Sequence, residues 1–223
     1  MSFIVAIDGP AGTGKGTITK LISEELGLIN IDTGAMYRCV ALEAIRNNIN
    51  ETQVEEVEKI LKNIRIEFKR ELGNIIVFLN GENVSMEIRT PEVNACVAKF
   101  AALKCVRDKM TPLQQEMGKL GNIIMEGRDI GTAVFPNADV KIYLDASVEE
   151  RANRRYKQNT EKGINQSYEE VLESIKQRHI LETTREINPL RKAEDAILVD
   201  TTSLSIQEVK EKVINIIKEK MNV

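Results

Sequence analysis

The strongest chemistry in the chain lies near its N-terminus, in Gly9-Pro10-Ala11-Gly12-Thr13-Gly14-Lys15-Gly16-Thr17. Glycines at 9, 12, 14 and 16 let a backbone wrap an anion with its N–H groups pointing inward. A helix starting at the end of such a loop adds its positive N-terminal end. Lys15 supplies a compact cation able to reach the β- and γ-phosphates of a nucleoside triphosphate. The usual phosphate loop has Ser or Thr directly after the lysine. Here Gly16 intervenes, so Thr17 is the candidate Mg²⁺ ligand.

Such a loop needs a strand before it and a helix after it, and both flanks comply. Phe3 to Ile7 read as a short buried strand, apolar without alternation. Ile18, Leu21, Ile22 and Leu26 keep helical spacing up to a stop at Gly27. Further apolar runs end on acidic residues: Leu28 to Ile31 before Asp32, Ile123 to Met125 before Glu126-Gly127-Arg128-Asp129, Val140 to Leu144 before Asp145, and Ala196 to Val199 before Asp200. Helical patterns fill the gaps, from about Ala35 to Asn47, Thr52 to Asn63 and Pro91 to Met117, and Ser205 with Glu208 forms a capping box for a final amphipathic helix. The fold class is therefore α/β, a doubly wound parallel sheet of about five strands with helices on both faces. Ligands of such sheets gather at the carboxyl ends of the strands, where these acidic residues lie. Asp145 and Asp200 are read as caps of the helices that follow, and Glu126 either orients a metal-bound water or holds its loop.

One stretch breaks the pattern. From Ile64 to Ile88 apolar and charged residues alternate, with a turn at Leu72-Gly73-Asn74, a hairpin signal at Asn80-Gly81 and a short strand near Val84. This reads as a small antiparallel insert. A second distinctive stretch, Glu149 to Lys162, is dense in arginine and lysine.

Composition narrows the function. The length of 223 residues fits one domain, 1–223, with insertions, and 42% hydrophobic with 29% charged residues is ordinary for a soluble protein. A formal charge of −3 gives no basic field for nucleic acid. Cys39, Cys96 and Cys105 are odd in number and form no CxxC pair, which excludes a disulfide framework or zinc site and points to the reducing cytoplasm. No signal peptide is read at the N-terminus, and no apolar run approaches the roughly 20 residues that span a bilayer. His179 is the only histidine. The chemistry must be one that needs little general-base help.

Several segments, in order along nearly the whole chain, resemble the bacterial-type cytidylate kinases of the P-loop nucleoside-monophosphate kinase family. They are Asp32-Thr33-Gly34-Ala35-Met36-Tyr37-Arg38, Glu87-Ile88-Arg89-Thr90, Glu126-Gly127-Arg128-Asp129-Ile130-Gly131-Thr132, Asp145 to Arg151, Pro189-Leu190 with Ala193-Glu194-Asp195-Ala196, and Asp200-Thr201-Thr202. The phosphate loop occurs in many families; the DTGAMYR and GRDIGT segments are much more specific. The resemblance implies an enzyme that transfers the γ-phosphoryl group of ATP to CMP or dCMP with Mg²⁺, working as a monomer with no nucleic-acid or membrane partner. It implies an acceptor-binding insert at 64–88 and a helical lid at 149–165. Lys15, Arg128 and Arg38 would be the catalytic groups. Thr33, Tyr37, Arg38 and Arg128 would hold the acceptor phosphate, Arg107, Asp129 and Arg185 would lie around the cytosine, and Arg178 and Glu182 near the ribose. Arg151, Arg154 and Arg155 of the lid would close on the phosphates. Three positions depart from the family pattern: Ala98 replaces a serine, His179 an aspartate, and Glu182 a shorter aspartate.

Two other readings compete. A related kinase acting on UMP, AMP or a small metabolite would share the core but lack the GRD segment and the insert. A GTPase-like switch would carry Asn-Lys-x-Asp and Asp-x-x-Gly, and neither occurs in the chain.

Overall fold

A computed structural model describes residues 2–71 and 74–221. The chain divides into two compact units, one of Met1–Asp32 with Gln115–Val223 and one of Thr33–Gln114.

The first unit is built on a five-stranded parallel sheet. Its strands are β1 (Ile4–Asp8), β2 (Ile29–Asp32), β6 (Ile123–Gly127), β7 (Val140–Asp145) and β8 (Ile197–Asp200), in the order β2-β6-β1-β7-β8. Val5 and Ile7 point to one face and Ala6 to the other, yet all three are fully buried. That double burial explains the unbroken apolar runs in the sequence. Helices α1 (Lys15–Leu26) and α8 (Ile206–Met221) cover the first face through Ile18, Ile22, Val209, Val213, Ile214 and Ile217. The opposite face packs Ile31, Ile123 and Met125 under a π-helical turn at Ile130–Val134. Helices α6 (Val148–Glu161) and α7 (Tyr168–Thr184) pack on one another, with Tyr156 and Tyr168 edge to face at 6.1 Å.

Parallel register aligns the strand ends. Asp8 stands opposite Gly127 and Tyr143, Asp32 opposite Glu126, and Asp145 opposite Asp200. Because the chain leaves the central β1 toward β2 on one side and β7 lies on the other, this edge is the crevice of a doubly wound sheet.

The second unit holds α2 (Thr33–Arg46), α3 (Val54–Asn63), a meander of β3 (Ile66–Glu71), β4 (Asn74–Leu79) and β5 (Glu82–Asn83), then α4 (Pro91–Ala102) and α5 (Lys104–Met117), whose last turn enters the first unit. Asn80 and Gly81 both take positive φ, 52° and 88°, as a two-residue hairpin turn requires. Leu72 and Gly73 of the other expected turn lie outside the described residues. The expected helix from Pro91 to Met117 is two helices, broken at Leu103, whose backbone is extended (φ −67°, ψ 133°). Arg107 explains the break. Its buried guanidinium donates to the Ala101 carbonyl at 3.1 Å, capping the end of α4 in a way residue spacing does not reveal.

Two further expectations are corrected. Asp145 and Asp200 cap no helix: Asp145 accepts the N–H of its neighbour Ala146, and Asp200 closes a turn on Thr202. The caps are Ser147 for α6 and Ser205 with Glu208 for α8, closer to the first helical turn.

Candidate active site

The phosphate loop takes its shape from contacts that exclude side chains. A Cβ at Gly9 would stand 2.0 Å from the Leu144 carbonyl oxygen, and one at Gly12 2.8 Å from the Cβ of Arg151. Gly14 precedes α1 in the left-handed region, at φ 91°. Gly16, where Ser or Thr is usual, faces Glu126: a Cβ there would lie 3.2 Å from its Oε1. The long glutamate occupies the space a side chain at 16 would need.

Lys15 is buried, and its ammonium folds back on the loop. Nζ donates to the Gly9 carbonyl at 2.6 Å, the Pro10 carbonyl at 2.7 Å and the Thr13 hydroxyl at 3.3 Å. Three donors thus meet three acceptors. Burial lowers its pKa well below the ordinary lysine value, and the nearby Arg128 charge lowers it further. Thr17 is exposed at the start of α1.

Opposite the loop stands the segment after β6. Arg128 donates through Nε to Glu182 at 2.9 Å and through Nη1 to the Gly127 carbonyl at 3.2 Å. Arg178, one turn before Glu182 on α7, donates to its other oxygen at 2.8 Å. Burial opposes charge on Glu182, but the two guanidiniums outweigh it and hold this carboxyl far below the usual range. Asp129 is buried and paired with Arg185 at 3.3 Å.

The three arginines of the expected lid do different things. Arg151 is buried and donates to the Ala146 and Ala11 carbonyls, bracing the loop from behind. Arg154 binds Glu150, the Thr13 carbonyl and Thr201. Arg155 donates to Gln158 on its own helix and faces other cations: burial, then Arg178 and Arg128, push its pKa down.

In the second unit the Arg107 guanidinium lies over the Tyr37 ring at 5.4 Å, Thr33 is buried, and Arg38 reaches Asn94 at 3.4 Å. Ala98 is half-buried on α4, away from the buried stripe of Val93, Val97 and Phe100.

A family model described as cytidylate kinase matches residues 5–219. The chain belongs to this family. Among similar proteins, the cytidylate kinase of Bacillus subtilis is 47% identical over 216 residues, covering 97% of this chain and 96% of its own. That of Thermosipho melanesiensis is 49% identical over 216 residues, covering 97% of both. Of solved structures, a shikimate kinase from Acinetobacter baumannii matches with TM-score 0.50 at 15% identity, covering 98% of this chain and 94% of that one, a likeness of fold.

Three residues of this cytidylate kinase family member were given no role by sequence reasoning. Asp8 sits under the segment that bears Arg128 and Asp129. The Thr19 hydroxyl lies 3.3 Å from Glu126. Thr201, near the Thr13 and Asp145 carbonyls, ties the loop to β7. An acidic residue directly before the first loop glycine, and a threonine after the last strand's aspartate, were the only signals.

Glu126 is a buried carboxyl at the end of β6. Burial first, and the Asp32 carboxylate second, push its carboxyl up to about 7, against Lys15 and Arg128. Its ordinary value is 4.5, so the folded state holds a proton that the unfolded chain has released between those limits. The stability this gives is complete below about pH 4.5 and lost as pH rises through 7. A permanently neutral Glu126→Gln should exceed the ligand-free wild type by on the order of 3 kcal/mol at pH 8, the gap closing toward pH 4.5. Denaturant melts of both proteins across pH 4.5–8 check this; parallel curves would show that Glu126 is not the strained carboxyl.

Proposed function

We propose that the protein transfers the γ-phosphoryl group of ATP to CMP or dCMP, giving ADP and CDP or dCDP. One observation carries the reading: Lys15, Arg128, Arg155 and Arg178 converge in one unit, where burial first and repulsion from neighbouring guanidiniums second lower the pKa of Lys15 and of Arg155. Glu182 binds only two of them directly. A polyanion at the carboxyl ends of β1 and β6 would relieve this repulsion, and two phosphate chains brought together would supply it.

In this reading the Gly9–Thr17 backbone and Lys15 hold the donor phosphates, and Lys15 leaves its loop carbonyls for the anion. Arg128 orients the acceptor phosphate, and Asp129 accepts from the cytosine amino group. Thr33, Tyr37, Arg38 and Arg107 of the second unit remain acceptor groups, as the family resemblance implies, with Arg178, Glu182 and Arg185. The segment 149–165 serves as the lid through Arg155, while Arg151 and Arg154 secure the loop.

An oxygen of the acceptor phosphate forms a bond to the γ-phosphorus as the bond to the bridging oxygen breaks in line, and ADP leaves with the electron pair. The acceptor's second pKa is near 6, so the attacking oxygen is ionised at neutral pH and no base is needed. The chain's single histidine, on α7, has no part in this chemistry.

The site suits Mg²⁺. No cluster of three or more acidic, cysteine or histidine side chains among the described residues makes a closed cage, and magnesium keeps water and phosphate as most of its ligands. The Thr17 hydroxyl would bind it and Glu126, a buried carboxyl at the end of β6, would hold its water; the ion would supply charge neutralisation between the phosphates. Among the described residues no helix is long and apolar enough to cross a membrane, and the three thiols are free.

ADP release measured with ATP, Mg²⁺ and a panel of nucleoside monophosphates tests the reading. CMP and dCMP should turn over at least about 10-fold better than AMP or GMP, since a site built to pair polar groups rejects a mismatched base. Equal turnover of a purine monophosphate would remove the specificity, and GTP hydrolysis that no acceptor accelerates would favour a switch.

A further inference from the structure

We propose that Asp8 is a positioning residue that fixes the acceptor-binding Arg128–Asp129 segment by clamping the two backbone N–H groups that follow it. This rests on the phosphoryl-transfer reading above. Asp8 ends β1, the central strand, and precedes the first glycine of the phosphate loop. Its main chain therefore belongs to the donor side. Its carboxylate serves the other side: Oδ1 accepts from Ile130 and Oδ2 from Gly131, each at 2.8 Å.

The segment needs such a clamp. After Asp129 the chain enters a π-helical turn, with Val134 donating to the Asp129 carbonyl at 3.2 Å and Phe135 to that of Ile130 at 2.7 Å. Its leading N–H groups have no helical acceptor, and a wide, short turn does not hold itself. Asp8 meets two of those orphans with two separate oxygens. Lys141 closes the other side. Its stem lies against Gly131, where a Cβ would stand 3.2 Å from Lys141 Cδ and 3.4 Å from Asp8 Oδ2, and its ammonium is tied to the Pro136 carbonyl and Asp195. Glycine at 131 lets both neighbours approach the backbone.

The arrangement is costly. Asp8 is almost wholly buried, and burial pushes its carboxyl up to about 6, against the two N–H bonds and Lys15. An apolar residue would fill the place without that penalty. What a carboxylate adds is a fixed height and orientation for the residues just before Ile130, one of which, Arg128, must meet phosphate with a planar fork. A small misplacement of such a group lowers transfer steeply.

Asp8→Asn tests this with nearly unchanged volume: its amide retains one acceptor and turns a donor toward the second N–H. We expect kcat/KM for CMP to fall at least about 10-fold, while ATP alone, titrated by calorimetry, binds within about threefold of wild type. Amide exchange at Ile130 and Gly131 should accelerate. Gly131→Ala, whose Cβ would press on the Lys141 stem and the Asp8 carboxylate, should give the same acceptor-selective loss and stands in should Asp8→Asn fail to fold. Equal losses toward ATP and CMP, or unchanged kinetics and exchange in these variants, overturn the proposal. Wild-type enzyme that turns over no CMP would instead overturn the functional reading, and the exchange at 130 and 131 still decides the clamp.

Discussion

Lys15→Ala lowers kcat at least about 100-fold, the loss expected when one donor aimed at transition-state charge is removed. The fold should survive it. The ammonium is buried against its own loop, bound to the Gly9 and Pro10 carbonyls, and that burial lowers its pKa. Removing a desolvated cation and leaving two carbonyls without it are opposing effects of similar size, so the change in stability should stay within about 2 kcal/mol. The circular-dichroism spectrum, melting temperature and ADP release at saturating ATP and CMP check the claim together. A folded variant with near-wild-type turnover would place the phosphates elsewhere.

Arg128→Lys is expected to cost at least about 10-fold in kcat/KM for the acceptor, although the charge is kept. Arg128 holds Glu182 through Nε and the Gly127 carbonyl through one Nη1 hydrogen, which sets the plane of the guanidinium and aims its remaining N–H groups. A lysine ammonium can replace the contact with Glu182 or reach a phosphate, but it cannot hold both in one plane. Glu182 would keep Arg178 and lose its second partner. The loss should appear when CMP is varied at saturating ATP. If only the ATP dependence moved, Arg128 would belong to the donor.

The acidic position at 182 shows how a change of one methylene acts through the fold. The family resemblance implies a shorter aspartate there. The glutamate of this chain spans Arg128 and Arg178, one oxygen to each, and fixes both before any phosphate arrives. In the proposed reading an acceptor phosphate would compete with, or bind beside, that carboxylate. Nothing local in the Arg-His-Ile-Leu-Glu run reveals this, because Arg128 lies 54 residues earlier.

The phosphate loop, the parallel strands and the meander were legible in the sequence because each has a local physical signature. Glycine spacing reports where side chains cannot fit, unbroken apolar runs report strands buried on both faces, and Asn80-Gly81 reports a turn with two positive φ angles. Family-specific segments named the acceptor class for the same reason: short runs carry short-range chemistry. What tertiary structure alone decided are pairings across long sequence distances. The Ile130 and Gly131 N–H groups lie 122 and 123 residues beyond the Asp8 carboxylate that receives them, and Thr201 is 188 residues beyond the Thr13 carbonyl it touches. The break at Leu103 depended on a buried arginine turning back to a carbonyl, and the separation of Arg155 from Arg151 and Arg154 on which carbonyls each met. Helical spacing gives three neighbouring arginines the same character. The oxygen atoms that the fold places around each one assign two of them to the loop and leave the third facing the other cations.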